Sequence, residues 1–157
     1  MHAAPTYVAM PRRRNAPRFP GFDYRQPGAY FVTFCTWRRR RILGRVVEGV
    51  VRVSAAGTLV ETIWASIPRH HPGVLLDAFV VMPDHVHGIL VFESPFRSLS
   101  EIVSLFKAAS TRAINRMCES PGCVVWQRSF YERIIRDDAE WARIRAYIAD
   151  NPRNWRG

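Results

Sequence analysis

The sequence predicts an α+β fold, in which an antiparallel sheet carries helices on one face and a further helix follows at the C-terminus. Segments rich in β-branched and aromatic residues alternate with amphipathic segments, in the order strand, helix, strand, strand, helix, strand, helix. The 157 residues, of which 48% are apolar, are enough for one domain with a buried core. These observations predict a ferredoxin-like domain over residues 24–157, preceded by a tail over residues 1–23.

The tail combines prolines that oppose regular structure with arginines that add positive charge. Such an arm can lie along the phosphates of a nucleic acid, or it can be a solvated end without a role. No apolar segment follows its first basic residues, so it does not resemble a signal peptide. The residues concerned are Pro5, Pro11, Pro17, Pro20, Arg12, Arg13, Arg14 and Arg18.

The first half of the domain is predicted from strand propensity, turn residues and helix caps. Ser54 is a typical N-cap, and Pro68 is expected to end the helix that Ser54 begins. The hairpin is expected to turn at Glu48 and Gly49. In chain order we expect a strand over 30–37, a basic loop over 38–41, a hairpin over 46–53 and a helix over 54–67.

The second half is predicted on the same grounds. Ser98 and Glu101 form the pattern of a capping box, and Asp137 is expected to cap the last helix, which Pro152 ends. In chain order we expect strands over 74–82 and 85–92, a helix from 98, a turn over 120–122, short strands over 124–126 and 131–135, and a helix over 137–150.

The charge balance indicates a polyanionic partner. The net charge is +10, and Lys107 is the only lysine among the 23 basic residues. Arginine grips phosphate bidentately, so a nucleic acid is the expected partner. Codon bias could explain arginine over lysine, but not the excess of positive charge. The candidate DNA-binding residues are Arg12, Arg13, Arg14, Arg38, Arg39, Arg40, Arg41, Lys107, Arg112, Arg116, Trp126, Arg128, Tyr131 and Arg133.

The cysteines and the hydropathy predict a reducing, cytoplasmic location and no membrane insertion. The three cysteines form no C-x-x-C pair, which argues against a disulfide framework or a zinc ribbon. The longest apolar stretch, over 74–82, is interrupted by Asp77 and is too short to span a bilayer.

His85 and His87 are the sharpest local feature of the sequence. Residues two apart on a strand point to the same face, so the two imidazoles are expected to stand side by side. Two imidazoles in this arrangement can hold one divalent ion. The alternative is a pair of half-buried histidines near the start of a strand, without a metal.

Tyr147 and Asn151 lie four residues apart on the last predicted helix and therefore share a face. A tyrosine hydroxyl can attack phosphorus, and an amide oxygen can be a hard metal ligand. Taken alone, the pair can equally be an ordinary helix tyrosine and a helix-end asparagine. Tyr131 is the rival nucleophile, in the segment 126–133 where aromatic residues and arginines alternate; that segment suits DNA stacking or a sheet edge.

Four stretches of the chain together resemble the single-tyrosine HUH transposases, specifically the REP-associated tyrosine transposases and their insertion-sequence relatives. The stretches run in family order over most of residues 20–157. They are GAYFVTFCT from Gly28, LDAFVVMPDHVHGILV from Leu76, VWQRSFYERIIRD from Val125 and YIADNP from Tyr147.

The resemblance implies cleavage and rejoining of single-stranded, hairpin-bearing DNA through a phosphotyrosine intermediate, with Mg²⁺ or Mn²⁺ bound. His85 and His87 match the family's histidines, Tyr147 its catalytic tyrosine and Asn151 its further polar ligand. This match favours Tyr147 over Tyr131 as the nucleophile. The sequence departs from the family at Asp84, where relatives often have asparagine. It also stops soon after Pro152, where many relatives continue with a segment that the resemblance assigns to DNA binding or to positioning the last helix.

Three other functions are compatible with parts of this pattern. A rolling-circle replication nickase would use the same metal and tyrosine on a different DNA. A domesticated DNA-binding protein would bind without cutting, and an RNA-binding module would have no use for the paired histidines. The resemblance admits both a monomer and a homodimer that exchanges the tyrosine helix between active sites.

Overall fold

The computed structural model describes residues 27–94 and 97–157. Arg12, Arg13 and Arg14 of the predicted tail lie outside these residues. In chain order the elements are β1 Gly28–Cys35, β2 Gly44–Val47, β3 Val50–Val53, α1 Ala55–Ala65, α2 Ile67–His70, β4 Val74–Met82, β5 His85–Phe92, α3 Leu99–Met117, β6 Tyr131–Ile135 and α4 Asp138–Asp150.

Four strands form an antiparallel sheet in the order β4-β5-β1-β6, and β2 pairs with β3 in a separate hairpin. This is the ferredoxin-like order, so the predicted fold class is confirmed. The central strands β1 and β5 are bordered by a neighbour on both sides, and most of their residues are buried. The register pairs Cys35 with His85 and Thr33 with His87, which fixes what surrounds the two histidines.

The two faces of the sheet carry different helices. Tyr30, Val32 and Phe34 alternate along β1 and enter a core that contains buried residues of α1 and α3. Phe31 points the opposite way and packs with Ile144 and Ile148 of α4. The sheet therefore lies between α1 and α3 on one face and α4 on the other. Within the residues described, no helix has the length and apolarity needed to cross a membrane.

The predicted turns and caps explain why the elements begin where they do. The N-cap Ser98 and Glu101 form both bonds of a capping box, and Asp137 Oδ1 accepts a hydrogen bond from the Glu140 N–H at 2.7 Å. Glu48 and Gly49 turn the β2–β3 hairpin with positive φ angles of 50° and 73°. These local signals predicted where α3 and α4 begin and where the β2–β3 hairpin turns.

Several predicted elements or bounds were wrong, and among them β1 begins at Gly28 and β2 at Gly44, each two residues before the predicted start. The helix from Ser54 ends at Ala65, and Pro68 lies in the first turn of α2, where its missing N–H costs nothing. The segment 124–126 is not a strand, because only Trp126 forms an isolated bridge, to Thr36. β1 ends at Cys35, two residues before the predicted end, because the chain enters a tight 3₁₀ turn at Trp37–Arg39.

Gly88 is required by a close approach between the sheet and α1. The Trp64 ring stacks on Phe79, with ring centroids 4.5 Å apart, directly against β5. A Cβ atom at residue 88 would lie 2.5 Å from the Trp64 ring and 3.1 Å from Phe79. The glycine therefore lets α1 pack closely on the strand that carries both histidines.

Lys107 lies inside the fold, although the sequence predicted a DNA contact. Its ammonium group donates to the carbonyls of Gln127, Arg128 and Ser129 at 2.9, 3.4 and 3.2 Å. The same nitrogen lies 5.6 Å from the ring centroid of Phe34 and 5.5 Å from that of Phe130. Lys107 therefore fixes the segment that leads into β6.

Replacing Lys107 with methionine should destabilise the protein. The change keeps a long apolar stem but removes the donor to three carbonyls, which should lower the free energy of unfolding by about 1–2 kcal/mol. Urea denaturation followed by circular dichroism measures this change. The control is Arg112→Met on the exposed side of α3, expected to change stability by less than about 0.5 kcal/mol. Equal midpoints for Lys107→Met and the unmodified protein would contradict the structural role.

Candidate active site

His85 and His87 stand side by side on the face of β5 that α4 covers. Their ring centroids are 4.6 Å apart, and the two residues are only 7% and 5% exposed. The β4–β5 turn at Pro83 and Asp84 places His85 at the first position of its strand. The strand geometry thus gives the paired arrangement that the sequence predicted.

The Nδ1 atom of each histidine has a hydrogen-bond partner. His85 Nδ1 lies 2.6 Å from Asp84 Oδ1, and His87 Nδ1 lies 2.7 Å from Thr33 Oγ1. In each ring the Nε2 atom is the nitrogen left for a ligand. Metal-binding histidines typically have one ring nitrogen held in this way, which fixes the ring and its tautomer.

The charges around the pair favour a neutral His87. Burial lowers the pKa of His87 well below the usual value, and the positive charges of His85 and Arg39 lower it further. Burial alone would raise the pKa of Asp84, but the hydrogen bond and charge of His85 and the Arg39 guanidinium outweigh it, so the pKa falls. Arg39 Nε lies 3.0 Å from Asp84 Oδ2. A chain of contacts therefore leads from Arg39 through the Asp84 carboxylate to His85.

The Tyr147 hydroxyl lies 3.4 Å from Nε2 of His87. Its ring packs edge-on against Phe31, with centroids 5.9 Å apart, and the residue is partly buried. The Tyr131 ring also packs edge-on against Phe31, with centroids 6.0 Å apart. Both tyrosines thus belong to this face of the sheet, and Tyr147 contacts the ring of His87.

The segment after α4 closes one side of the site. Asn151 follows Tyr147 by one helical turn and is 8% exposed. The Trp155 ring lies 5.9 Å from the His85 ring, and the Arg41 guanidinium lies 5.7 Å from the centroid of Trp155. The C-terminal residues therefore shield His85 from solvent.

The two imidazoles alone supply too few ligands for a divalent ion, so oxygen ligands would have to complete the site. In the described part of the chain, no three His, Cys, Asp or Glu side chains are close enough together to hold a metal. The two Nε2 atoms supply a pair of nitrogen donors, and the remaining positions would fall to the Asn151 amide, water or a phosphate. Two oriented imidazoles in a buried site fit such an ion.

α4 is anchored to the sheet by Asp77, a carboxylate inside the otherwise apolar strand β4. Arg145 donates to both of its oxygens, at 2.7 and 2.8 Å, and the Trp141 indole donates to Oδ2 at 2.8 Å. The hydrogen bond from Arg145, opposed by burial and helped by Trp141, lowers the pKa of Asp77 to about 2. This anchor positions the helix that carries Tyr147.

Asp77→Asn should loosen α4 while leaving the rest of the fold intact. The amide cannot form the bidentate ion pair with Arg145, so amide hydrogen exchange in α4 should accelerate about threefold to tenfold. Because the folded pKa is below the unfolded one, the anchor contributes stability above about pH 4 and loses it as the pH falls towards 2. Exchange measured by mass spectrometry tests this, with the exposed Arg143→Gln as control. Uniform acceleration over the whole chain would instead indicate global destabilisation.

The residues predicted to bind DNA fall into two groups. Trp126 is 5% exposed and its indole N–H donates to Ser110 Oγ, so Trp126 and Lys107 have structural positions. Arg133 pairs with Glu140 at 2.5 Å while remaining partly exposed. The others in the described residues are half-buried Tyr131 and the exposed Arg38, Arg39, Arg40, Arg41, Arg112, Arg116 and Arg128.

Thr33, Asp77 and Asp84 are among the residues of the site that were not predicted from the sequence. A carboxylate in an apolar strand, as at Asp77, is a signal that could have been used, because a buried charge needs a partner. Asp84 precedes His85 directly, which places a carboxylate within reach of the ring. Thr33 gave no local signal, since its position depends on the pairing of β1 with β5.

Comparison with known proteins identifies the family. The family model described as "Transposase IS200 like" matches residues 28–151, which include the histidine pair, Tyr147 and Asn151. The chain belongs to this transposase family. An uncharacterized protein of Haemophilus influenzae is 30% identical to this IS200-like transposase, over 95% of this chain and 93% of the relative.

Two further relatives carry more specific names. This IS200-like transposase is 28% identical to a candidate REP-associated tyrosine transposase of Haemophilus influenzae, over 54% of this chain and 52% of that protein. A solved REP-associated tyrosine transposase bound to a REP hairpin superposes with a TM-score of 0.66 at 23% identity, over 89% of this chain and 73% of that one. The second likeness shows that the two proteins share a fold.

Proposed function

We propose that this transposase cleaves and rejoins single-stranded DNA through a covalent phosphotyrosine intermediate formed on Tyr147. The observation that carries the proposal is the contact of 3.4 Å between the Tyr147 hydroxyl and Nε2 of His87. The contact supports the proposal because a phosphate bound beside His87 Nε2 can also meet the Tyr147 hydroxyl. The proposal includes Mg²⁺ or Mn²⁺ at His85 and His87, with Asn151 as a further ligand.

The chemistry assigns a separate task to each residue. The Tyr147 oxygen bonds to phosphorus as the bond from phosphorus to the 3′ oxygen breaks; the phenol loses its proton and the 3′ oxygen gains one. A divalent ion held by His85 and His87 would polarise the phosphate and stabilise the charge that develops on it. Asp84 and Thr33 hold the two imidazoles in position through Nδ1. Attack by the 3′ hydroxyl of another strand on the phosphotyrosine restores the DNA without ATP.

The charge distribution supports DNA as the substrate, and the proposal includes a cytoplasmic location. The net charge is +10, and Arg38, Arg39, Arg40 and Arg41 follow β1 at the end of the sheet where His85 lies. Arg39 also contacts Asp84, which joins this basic segment to the site. The solved relative bound to a REP hairpin supports a hairpin next to the single strand as the form of DNA recognised.

A covalent-adduct experiment tests the proposed function. The protein is incubated with a labelled oligonucleotide that carries a hairpin and an unpaired flank, in Mg²⁺, Mn²⁺ or EDTA. We expect a band of protein-linked DNA on a denaturing gel with either ion, and none with EDTA. Binding of the oligonucleotide without an adduct in either ion would reject cleavage and indicate a protein that only binds DNA.

A further inference from the structure

Trp37 leaves a large aromatic ring in solvent at the edge of the site. Trp37 is 41% exposed, whereas tryptophan residues are on average highly buried in folded proteins. It follows the last residue pairs of β1, in which Cys35 lies opposite His85. Trp37 therefore stands at the end of the sheet where the histidine pair lies.

The backbone that carries Trp37 is held rigidly. The Trp37 N–H donates to the carbonyl of Val125 at 2.8 Å, and the preceding Thr36, which is fully buried, donates to the carbonyl of Asp84 at 2.9 Å. The next two residues, Arg38 and Arg39, have positive φ angles of 56° and 55°. Two successive non-glycine residues in the left-handed region cost energy, and such strain is found mainly at functional sites.

Charged groups surround the exposed ring and connect it to the site. The Arg38 guanidinium lies 5.7 Å from the centroid of the Trp37 ring. Arg39 contacts Asp84, which in turn contacts His85, so one short turn joins the indole to the histidine pair. A flat aromatic surface beside guanidinium groups is the arrangement that binds an unpaired base and its phosphate.

We propose that Trp37 is a stacking platform for one unpaired base of the DNA strand that enters the site, with Arg38 contacting the adjacent phosphate. This inference rests on the proposed function, since it requires a single-stranded substrate. Stacking on the indole fixes the position of the strand relative to Tyr147. Base stacking is tolerant of sequence, so Trp37 sets the register of the strand more than the identity of the base.

The test measures DNA binding in EDTA, so that the strand is bound and not cut. Fluorescence anisotropy compares a hairpin with an unpaired flank and the same hairpin without the flank. Trp37→Ala should weaken binding of the flanked hairpin about tenfold and leave the blunt hairpin within twofold of the unmodified protein. Trp37→Phe, which keeps a ring, should retain most of the affinity. Met117→Ala, at a residue of similar exposure on α3, is the control.

Abasic substitution locates the stacked base. Each nucleotide of the flank is replaced in turn by an abasic one; one position should lose about tenfold in affinity with the unmodified protein and lose nothing further with Trp37→Ala. Equal weakening of both hairpins, or an abasic effect that persists in Trp37→Ala, would overturn the stacking role. If the unmodified protein forms the covalent adduct and Trp37→Ala binds normally, only this inference fails. If the unmodified protein binds no DNA, the proposed function fails with it.

Discussion

Tyr147→Phe should abolish the covalent adduct while the protein still folds and binds DNA. The change removes one oxygen, the atom that lies 3.4 Å from His87 Nε2, and keeps the ring that packs on Phe31. Loss of the nucleophile should reduce adduct formation by about a thousandfold or more. A denaturing gel measures the adduct, and fluorescence anisotropy with the same oligonucleotide should show affinity within about twofold of the unmodified protein.

Tyr131→Phe is the matched control for this result. Tyr131 packs on the same Phe31 ring, so the two variants remove equivalent oxygens from neighbouring positions. We expect a reduced but measurable adduct from Tyr131→Phe, because the proposed nucleophile is still present. An adduct that survives in Tyr147→Phe and disappears in Tyr131→Phe would show that the nucleophile lies in β6.

Replacing His85 and His87 together with alanine should abolish divalent-ion binding at the site and cleavage with it. Both imidazoles have Nδ1 occupied and Nε2 left for a ligand, so their removal takes away every nitrogen donor assigned to the ion. Calorimetric titration with Mn²⁺ measures binding directly, without DNA and without catalysis. The adduct should fall by at least about a thousandfold.

The loss of two buried rings also affects folding, which the controls must separate from metal binding. His87 is 5% exposed, and its removal leaves Thr33 without this partner, at a cost of about 1–3 kcal/mol. The variant His87→Gln keeps a polar side chain at that position and should fold better while still binding the ion weakly. Normal Mn²⁺ binding and normal adduct in a folded double variant would reject the metal site.

Local sequence signals predicted most of the fold. Caps such as Ser98 and Asp137, and the turn at Glu48 and Gly49, depend on residues within a few positions of each other, and the structure has them where they were predicted. β4 and β5 also have their predicted bounds, since a proline and an aspartate mark the turn between two apolar runs. The strand order follows from the ferredoxin-like pattern of elements.

The failures concern residues whose environment is set by distant parts of the chain. Trp126, in a segment of alternating aromatic residues and arginines, is buried, and its indole N–H donates to Ser110 of α3. Lys107, on α3, donates to the backbone carbonyls of the segment before β6. The sequence did not predict which face of the sheet α4 covers. The spacing of apolar residues in α4 indicates only that one side of the helix is buried. The same holds for Thr33, which reaches His87 only through the register of β1 and β5.

The anchor of α4 on Asp77 places Tyr147 and His87 of one molecule beside each other. Arg145 and Trp141 hold the helix on β4 of their own chain, and Tyr147 thereby meets His87 of that chain. A reaction centre completed within one molecule keeps its specific activity on dilution, whereas one completed by exchange of helices between molecules loses it. Under the proposed function, we therefore expect the specific activity of strand cleavage to stay constant as the protein is diluted.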